Sequence, residues 1–345
     1  MSSPVPPESD LWAPLPADGE EWNDHTIHTH YFGFSIPEEQ IGAFIYVRYQ
    51  PVYKLVSGGV CIFKGMDNLR PLDCEHCNYI NTMPYPSTTG ELDLIKDNTV
   101  KTANGLTIQF LQPGHKARLT YRSPDGKTTF DLTQSAITPL LPRGHVVPGE
   151  DVDTDPTQRP GGSEQFMHCV GTLTMGGRTY AVDCYPVRDR SWRQVRTEDE
   201  VSFPPVGWSP IAFGPDLSFN QIGTDSSPQR WASIFQVDPN KPVHYFGWVV
   251  NKGEVRNVVK VERRVTKYHP DLHSAVEQEI EAQDEKGERH SFKGEAVAVA
   301  QLPSWPNNIF IDSVFRWTDK DGRIAYCTYQ EAHYHRYQRF CRGRE

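Results

Sequence analysis

The stretch that decides the fold is EQFMHCVGTLTMGGRTYAVDCYPVRDRSW, residues 164–192, in which two β-rich segments flank the pair Gly176-Gly177. A two-residue Gly-Gly loop is a strong signal of a β-hairpin, and it fixes the register in which the two strands pair. Met175 then lies opposite Arg178, and the later pairs follow outward from the loop. The stretch therefore predicts an antiparallel hairpin and also which residues lie opposite each other across it.

One face of this hairpin collects ionisable side chains among apolar ones. In the predicted register its members are Glu164, Phe166, His168 and Val170 on one strand and Asp189, Val187, Tyr185 and Asp183 on the other. If this face lines an interior, Glu164 and Asp189 lie close together, and two like charges in a low dielectric do not both ionise readily. One carboxyl would keep its proton near neutral pH and act as a general acid. His168 and Tyr185 would orient water, with Asp183 as a second candidate acid; the alternative is that the face points to solvent.

The length of the chain indicates more than one folding unit, since 345 residues suit two domains of ordinary size. Residues 1–21 are rich in proline and predict an arm that packs on the surface or stays loose. Residues 146–163 combine proline, glycine and aspartate with little apolar content, which is typical of a linker. The predicted domains are therefore 22–145 and 164–345.

Hairpin signals recur along the rest of the chain, and helical patterns are few. The further turn signals are Asn104-Gly105, Pro124-Asp125-Gly126, Lys252-Gly253, Lys286-Gly287 and Asp321-Gly322. A short turn is expected at 37–40, residues 270–282 fit a helix or a strand, and 335–344 predict a final strand. Closing many strands into barrels removes exposed edges. The sequence thus predicts an all-β protein of two antiparallel β-barrel or sandwich domains with little helix.

Composition narrows the classes of partner. The net charge of -9 argues against nucleic-acid binding and favours a hydrophobic small molecule as the partner. The chain has no apolar run of membrane-spanning length, and its N-terminus lacks the features of a signal peptide. Its seven cysteines are an odd number, which fits reduced thiols in the cytoplasm. Cys74 and Cys77 form a lone C-x-x-C with no second pair, so they are interpreted as loop thiols.

Histidines and tryptophans supply further candidates for a pocket. His28 and His30, like His333 and His335, have a spacing that places both side chains on one face of a strand. Such pairs can bind a metal, line a polar pocket or make ordinary hydrogen bonds. The favoured pocket candidates are His333 with the nearby Glu331, and Phe166 and Trp208 as parts of an apolar cavity. No nucleotide-binding or metal motif of high specificity is present, so neither a cofactor nor a metal is predicted.

The block Arg188-Asp189-Arg190-Ser191-Trp192 resembles the Asp-(His/Arg)-x-Trp signature of the AttH/carotenoid 1,2-hydratase (CrtC-like) superfamily. It is most similar to a bacterial branch that also has Glu-Gln, Gly-Thr-Leu and a Gly-Gly-Arg hairpin ahead of the block. The likeness extends to an aromatic strand, His30 to Phe34, and so spans most of residues 22–340. It implies two tandem lipocalin-like domains.

The resemblance also implies a chemistry. In carotenoid hydratases the aspartate of this signature protonates a C=C bond, a role that would be carried here by Asp189 with Trp192 in the pocket wall. The sequence thus predicts a lyase or isomerase, a hydratase, dehydratase or double-bond isomerase, acting without a cofactor on an apolar isoprenoid-like or polycyclic molecule. Two alternatives remain open: a cyclase or pericyclase that uses a shaped cavity, and a lipocalin-like carrier of a hydrophobic ligand. Oligomeric state is not predicted.

Overall fold

The computed structural model is almost entirely β. It describes residues 5–85, 95, 97–143, 160–200, 202–225, 231, 233–235, 244–303, 305 and 307–344. The strands are β1 (Thr26–Ile36), β2 (Ile41–Gln50), β3 (Leu55–Lys64), β4 (His76–Pro84), β5 (Thr99–Lys101), β6 (Leu106–Gln112), β7 (Lys116–Arg122), β8 (Thr129–Ala136), β9 (Leu141–Pro142), β10 (Gly161–Met175), β11 (Arg178–Cys184), β12 (Val187–Val195), β13 (Val206–Trp208), β14 (Ile211–Ala212), β15 (Leu217–Gly223), β16 (His244–Asn251), β17 (Glu254–Tyr268), β18 (Ala275–Asp284), β19 (Arg289–Leu302), β20 (Asn308–Asp319) and β21 (Ile324–Tyr334). The helices in the described residues are short 3₁₀ turns at Pro7–Leu11, Pro37–Glu39 and Pro71–Asp73, and α1 (His335–Cys341).

The strands form two sheets. The first runs β4-β3-β2-β1-β12-β10-β8-β7-β6-β5, with β9 and β11 paired to β10. The second runs β13-β21-β20-β19-β18-β17-β16-β15-β14, and β13 also pairs with β15, which closes this sheet into a barrel. The predicted all-β fold with barrel-like sheets and little helix is confirmed. No helix in the described part of the chain is long and apolar enough to cross a membrane.

The predicted turns all fall between successive strands, and 270–282 resolves into the strand β18 rather than a helix. The expected final strand at 335–344 is wrong, because most of this segment forms α1. Tyr337 explains the change: its buried ring lies against His333, with centroids 4.8 Å apart, and packs with Trp231 and Phe235. The helix therefore covers one end of the barrel instead of extending its edge.

The hairpin register is confirmed. Met175 pairs with Arg178 and Val170 with Asp183, and beyond the break at Pro186 Glu164 pairs with Asp189. The strands of this hairpin join the first sheet, since β12 pairs with β1 and β10 with β8. Most of the predicted linker lies outside the described residues, and the division of the chain into domains stays a prediction.

The N-terminal arm is held on the first sheet by buried polar contacts. Asp10 forms a buried ion pair with Arg188, 2.8 Å between Oδ1 and Nη1. His28 and His30 bond through Nε2 to the carbonyl oxygens of Pro14 and Asp10, at 2.9 and 3.0 Å. Burial and the charge of Arg190 lower the pKa of His28 to about 3, which keeps its ring neutral and able to donate to one carbonyl. The arm thus fixes the strands β1 and β12 from the side opposite the cavity described below.

Candidate active site

A single row of directly opposed residues crosses the first sheet and carries the predicted acid pair. One residue comes from each of β4, β3, β2, β1, β12 and β10: Tyr79, Gly59, Tyr46, Tyr31, Asp189 and Glu164. Directly opposed side chains on one face of a sheet have Cβ atoms about 4.5–5.5 Å apart. The register therefore puts Asp189 between Tyr31 on one side and Glu164 on the other.

This row forms part of the wall of a cavity of about 490 Å³. The facing wall is the outer surface of the barrel, which contributes Trp208, Ile222 and Gln330. Aromatic side chains dominate the lining: Tyr31, Phe44, Tyr46, Tyr79, Phe203, Trp208, Tyr245, Trp305, Phe310 and Tyr334. Cavities of this size with a mainly apolar lining are typical of small-molecule sites.

Glu164 is the more deeply buried member of the acid pair, with 2% of its surface exposed. Burial raises its pKa to about 8, and the negative charge of Asp189 adds to the increase. Arg143, Asn220 and Trp248 act in the opposite direction. Asn220 donates from Nδ2 to Oε2 of Glu164. Near neutral pH the group is therefore mainly a carboxylic acid.

Asp189 has a more polar environment than Glu164. Its side chain is 13% exposed, and its Oδ2 lies 3.4 Å from Nε of Arg143. Burial raises its pKa too, but Arg143, Arg196 and Arg190 act to lower it. Because a cation contacts Asp189 and a neutral amide contacts Glu164, a proton shared by the pair belongs on Glu164.

Tyr31 extends the polar row and links it to the barrel. Its hydroxyl lies 3.4 Å from Oγ1 of Thr328. Burial raises its pKa well above the usual value, and the charges of Asp312 and Asp189 add to this. Asp312 is itself buried, and its pKa is raised well above normal by burial although Ser313 N–H and Gln330 act to lower it. Tyr31 is therefore a neutral hydroxyl between two buried acids.

The outer end of the hairpin leaves this cavity. His168 Nε2 lies 2.7 Å from Asp183 Oδ1, with the side chains 37% and 75% exposed. The ring of Tyr185 stacks on His168 at 4.9 Å. These three predicted site residues form a surface cluster with each other and do not line the cavity. The predicted face is thus divided, buried at Glu164 and Asp189 and exposed at its far end.

Among the predicted pocket residues, Trp208 lines the cavity and the others have different surroundings. Phe166 packs edge-on against Trp248, with ring centroids 5.5 Å apart. Trp192 packs edge-on against Trp12 of the arm at 5.1 Å. Glu331 and His333 lie inside the barrel and contact each other, 2.5 Å between Oε1 and Nε2.

The potential metal-binding groups have other partners. His28 and His30 bond to the arm, His333 contacts Glu331, and His335 begins α1. In the described ranges, one group of side chains has metal-like spacing: Asp284, Glu288 and His290. Arg256 already forms ion pairs with two of its members, at 3.0 Å to Asp284 and 2.5 Å to Glu288. Cys77, the second thiol of the C-x-x-C pair, has Cys61 as its partner, with 3.4 Å between the two sulfur atoms.

Four residues of the site were not predicted from the sequence: Tyr31, Arg143 and Asn220 around the acid pair, and Arg48 in the lining of the cavity. Tyr31 opposes Tyr46 across a hairpin whose turn was predicted at 37–40, so the pairing of β1 with β2 could have been inferred. The contact of β1 with β12 joins segments far apart in sequence and leaves no local signal. Arg143 and Asn220 reach the acid pair through the same kind of long-range packing.

The fold and the site define a protein of two lipocalin-like sheets that enclose an aromatic cavity with a buried acid pair. The chain belongs to the family described as a domain of unknown function, DUF7064, whose profile matches residues 7–334. No curated protein matches the chain at a significant level.

Solved structures of similar fold were also found. One is an AttH protein of Nitrosomonas europaea, with a TM-score of 0.56, 13% identity, and coverage of 96% of this chain and 98% of that one. Two others are kievitone hydratase from Nectria haematococca, with TM-score 0.49, 14% identity and coverage of 96% and 93%, and CghA solved with Sch210972, with 0.49, 11%, and 96% and 94%. The likeness to the AttH protein confirms the expected tandem lipocalin-like fold.

Proposed function

We propose that this protein is an acid-catalysed lyase or isomerase that adds or removes water, or shifts a double bond, on an apolar isoprenoid-like or polycyclic small molecule. The observation that carries the proposal is the cross-strand pair of Glu164 and Asp189 in the wall of a cavity lined by aromatic side chains. Proton transfer to a C=C bond requires an acid that is still protonated near neutral pH and is shielded from bulk water. Burial and a neighbouring anion provide both conditions at Glu164.

The roles within the pair follow from their partners. The family resemblance favours Asp189 as the proton donor, whereas we assign the proton to Glu164, because Arg143 stabilises the ionised form of Asp189. Asp189 then acts as the general base that activates water. Tyr31, a neutral hydroxyl beside Asp189, positions that water or the substrate. His168, Asp183 and Tyr185 have no part in this reaction scheme.

The proposed reaction has two steps, protonation of the alkene and capture of the resulting carbocation. The O–H bond of Glu164 breaks as its proton forms a C–H bond with one alkene carbon, which leaves a carbocation and a carboxylate. Aromatic faces of the lining, such as Tyr46 and Trp208, stabilise that cation. Water then forms a C–O bond with the cationic carbon and gives its proton to Asp189, from which the proton returns to Glu164. If Asp189 instead takes a proton from the carbon next to the cationic one, the electron pair of that C–H bond forms the new C=C bond, and the proton returns from Asp189 to Glu164.

The test is turnover of a panel of monoterpene, sesquiterpene and polycyclic alkenes in H₂¹⁸O, with mass spectrometry of the products. The wild type should add ¹⁸O to at least one member, and Glu164→Gln and Asp189→Asn should each lower the rate by about 100-fold or more. Glu279→Gln, a carboxylate on the outer surface of β18, is the matched control and should keep the wild-type rate. Wild-type turnover that survives both substitutions would overturn the proposal.

A second candidate, cyclisation without proton transfer, is favoured by two indole groups of the cavity. Nε1 of Trp208 and Nε1 of Trp305 are buried and have no hydrogen-bond acceptor among the described residues. Such donors can bind a carbonyl oxygen of a ligand and so stabilise a folded, reactive conformation. In that case the two carboxyl substitutions should slow turnover only several-fold. A carrier would instead return its ligand unchanged.

A further inference from the structure

A second row of directly opposed residues lies next to the acid row and carries a buried cation. One residue comes from each of β3, β2, β1, β12 and β10: Ser57, Arg48, Thr29, Ser191 and Gly162. The hydroxyl groups of Thr29 and Ser191 lie 2.6 Å apart, so one donates to the other and one proton remains to be donated elsewhere. Arg48, Thr29 and Ser191 all line the cavity.

Arg48 is a buried guanidinium without an acidic partner. Its exposed fraction is 8%, Nε donates to Ser57 Oγ at 2.8 Å, and the group lies 5.6 Å from the centre of the Trp305 ring. No described Asp or Glu forms an ion pair with it, whereas Arg143 contacts Asp189 and Arg188 contacts Asp10. A guanidinium is always charged, and a buried charge is ordinarily paired. The anion that would balance Arg48 is therefore not supplied by the described protein.

The charges of the whole cavity also indicate that an anion is missing. Its lining contains the cations Arg48, Arg143 and Arg196 and the acids Glu164 and Asp189. With Glu164 protonated, three positive charges face one negative charge. A negatively charged ligand group would restore the balance, and it would do so at Arg48 because the other two arginines already act on Asp189.

We propose that Arg48, with the Thr29–Ser191 hydroxyl pair, binds the carboxylate of the substrate, so that the ligand is a hydrophobic carboxylic acid. A planar carboxylate matches the forked donors of one guanidinium, and a hydroxyl beside it adds a further donor. The strand spacing and rise put the Cα atoms of Arg48 and Asp189 about 12 Å apart. The reacting bond then lies several carbon atoms from the carboxylate. This inference rests on the same cavity as the proposed function and deepens it.

The experiment compares two aromatic probes of the same shape, 9-anthracenecarboxylate and 9-anthracenemethanol, by quenching of tryptophan fluorescence. The wild type should bind the carboxylate about 10-fold or more tightly than the alcohol. Arg48→Gln should remove this preference and leave alcohol binding within about 2-fold, while Arg48→Lys should retain part of it. Arg118→Gln, an exposed arginine paired with Asp131, is the matched control and should behave as the wild type.

Equal binding of the two probes by the wild type, or an equal loss for both probes in a folded Arg48→Gln protein, would overturn the inference. If Arg48→Gln does not fold, the wild-type preference and its partial retention in Arg48→Lys decide the question. Glu164→Gln separates this inference from the proposed function, since it removes the proton donor but leaves Arg48 in place. It should therefore retain the carboxylate preference whether or not it retains turnover.

Discussion

Two glutamates of equal burial have opposite electrostatic properties in this protein. Glu164 in the cavity and Glu331 inside the barrel each have 2% of their surface exposed. Burial acts to raise the pKa of both, yet that of Glu164 rises to about 8 whereas that of Glu331 is lowered. The difference therefore lies in the groups around each carboxyl and not in burial.

The groups around Glu331 compensate its negative charge. His333 lies 2.5 Å from Oε1, Arg263 lies 3.5 Å from Oε2, and the backbone N–H of Ala275 donates to Oε2 at 3.2 Å. Tyr329 donates a further hydrogen bond. Glu164 instead has the anion Asp189 as its cross-strand neighbour. A compensated carboxylate stabilises a closed barrel, whereas an uncompensated one next to a cavity keeps the proton that the proposed reaction requires.

The largest effect is expected from breaking the compensated site. Glu331→Gln leaves Arg263 buried without its carboxylate, and removing one partner from a buried ion pair costs about 3–5 kcal/mol. Urea unfolding followed by tryptophan fluorescence measures the change in the free energy of unfolding. The control Glu279→Gln breaks a surface ion pair with Arg264 and should cost less than about 1 kcal/mol. Equal costs for the two variants would show that the barrel interior does not depend on this carboxylate.

The stability that Glu164 contributes should fall as the pH rises, which is opposite to the behaviour of a carboxyl with a lowered pKa, such as Glu331. Between the ordinary pKa of 4.5 and the folded-state value of about 8, the folded protein holds a proton on Glu164 that the unfolded chain releases. This contribution to stability is fully present below pH 4.5 and is lost as the pH rises toward 8. Glu164→Gln lacks the titration, so its stability relative to the wild type should rise over this range by on the order of 4 kcal/mol.

Unfolding free energies of both proteins at several pH values from about 5 to 8 test this expectation. The pKa of Glu279 is lowered by its bond to Arg264, although burial opposes this, so the gap between Glu279→Gln and the wild type should stay constant over the same range. A constant gap for Glu164→Gln as well would mean that Glu164 is ionised throughout and cannot be the proton donor.

The sequence predicted what local pairing determines. The Gly-Gly loop set the register that brings Glu164 of β10 opposite Asp189 of β12, since β11 and β12 continue the same side of the hairpin beyond the loop. The sequence could not reveal that β1 lies on the other side of Asp189, because that pairing depends on the packing of the complete sheet. Tyr31 and the hydroxyl of Thr29 therefore had no sequence signal that linked them to the acid pair.

The choice of Glu331 and His333 as pocket residues shows a second limit. Alternation along a strand places them on one face, and their neighbours Gln330, Ala332 and Tyr334 on the other. The face with Glu331 and His333 is buried inside the barrel, and the other face is mostly half-buried. Both faces carry polar and apolar side chains, so hydrophobicity does not show which one lies toward the cavity. The structure puts the face with Gln330 toward the cavity.

The smallest effect is expected at the exposed end of the hairpin, which shares the register of the buried end but not its surroundings. The side chains of His168 and Asp183 are 37% and 75% exposed, and water weakens a polar contact at such an exposed position. Asp183→Asn should change the free energy of unfolding by less than about 1 kcal/mol and leave alkene hydration at the wild-type rate. Loss of hydration in a folded Asp183→Asn protein, comparable with that in Glu164→Gln, would mean that the chemistry uses the surface end of the hairpin. Burial would then no longer be the property that separates the reactive carboxyl from its neighbours.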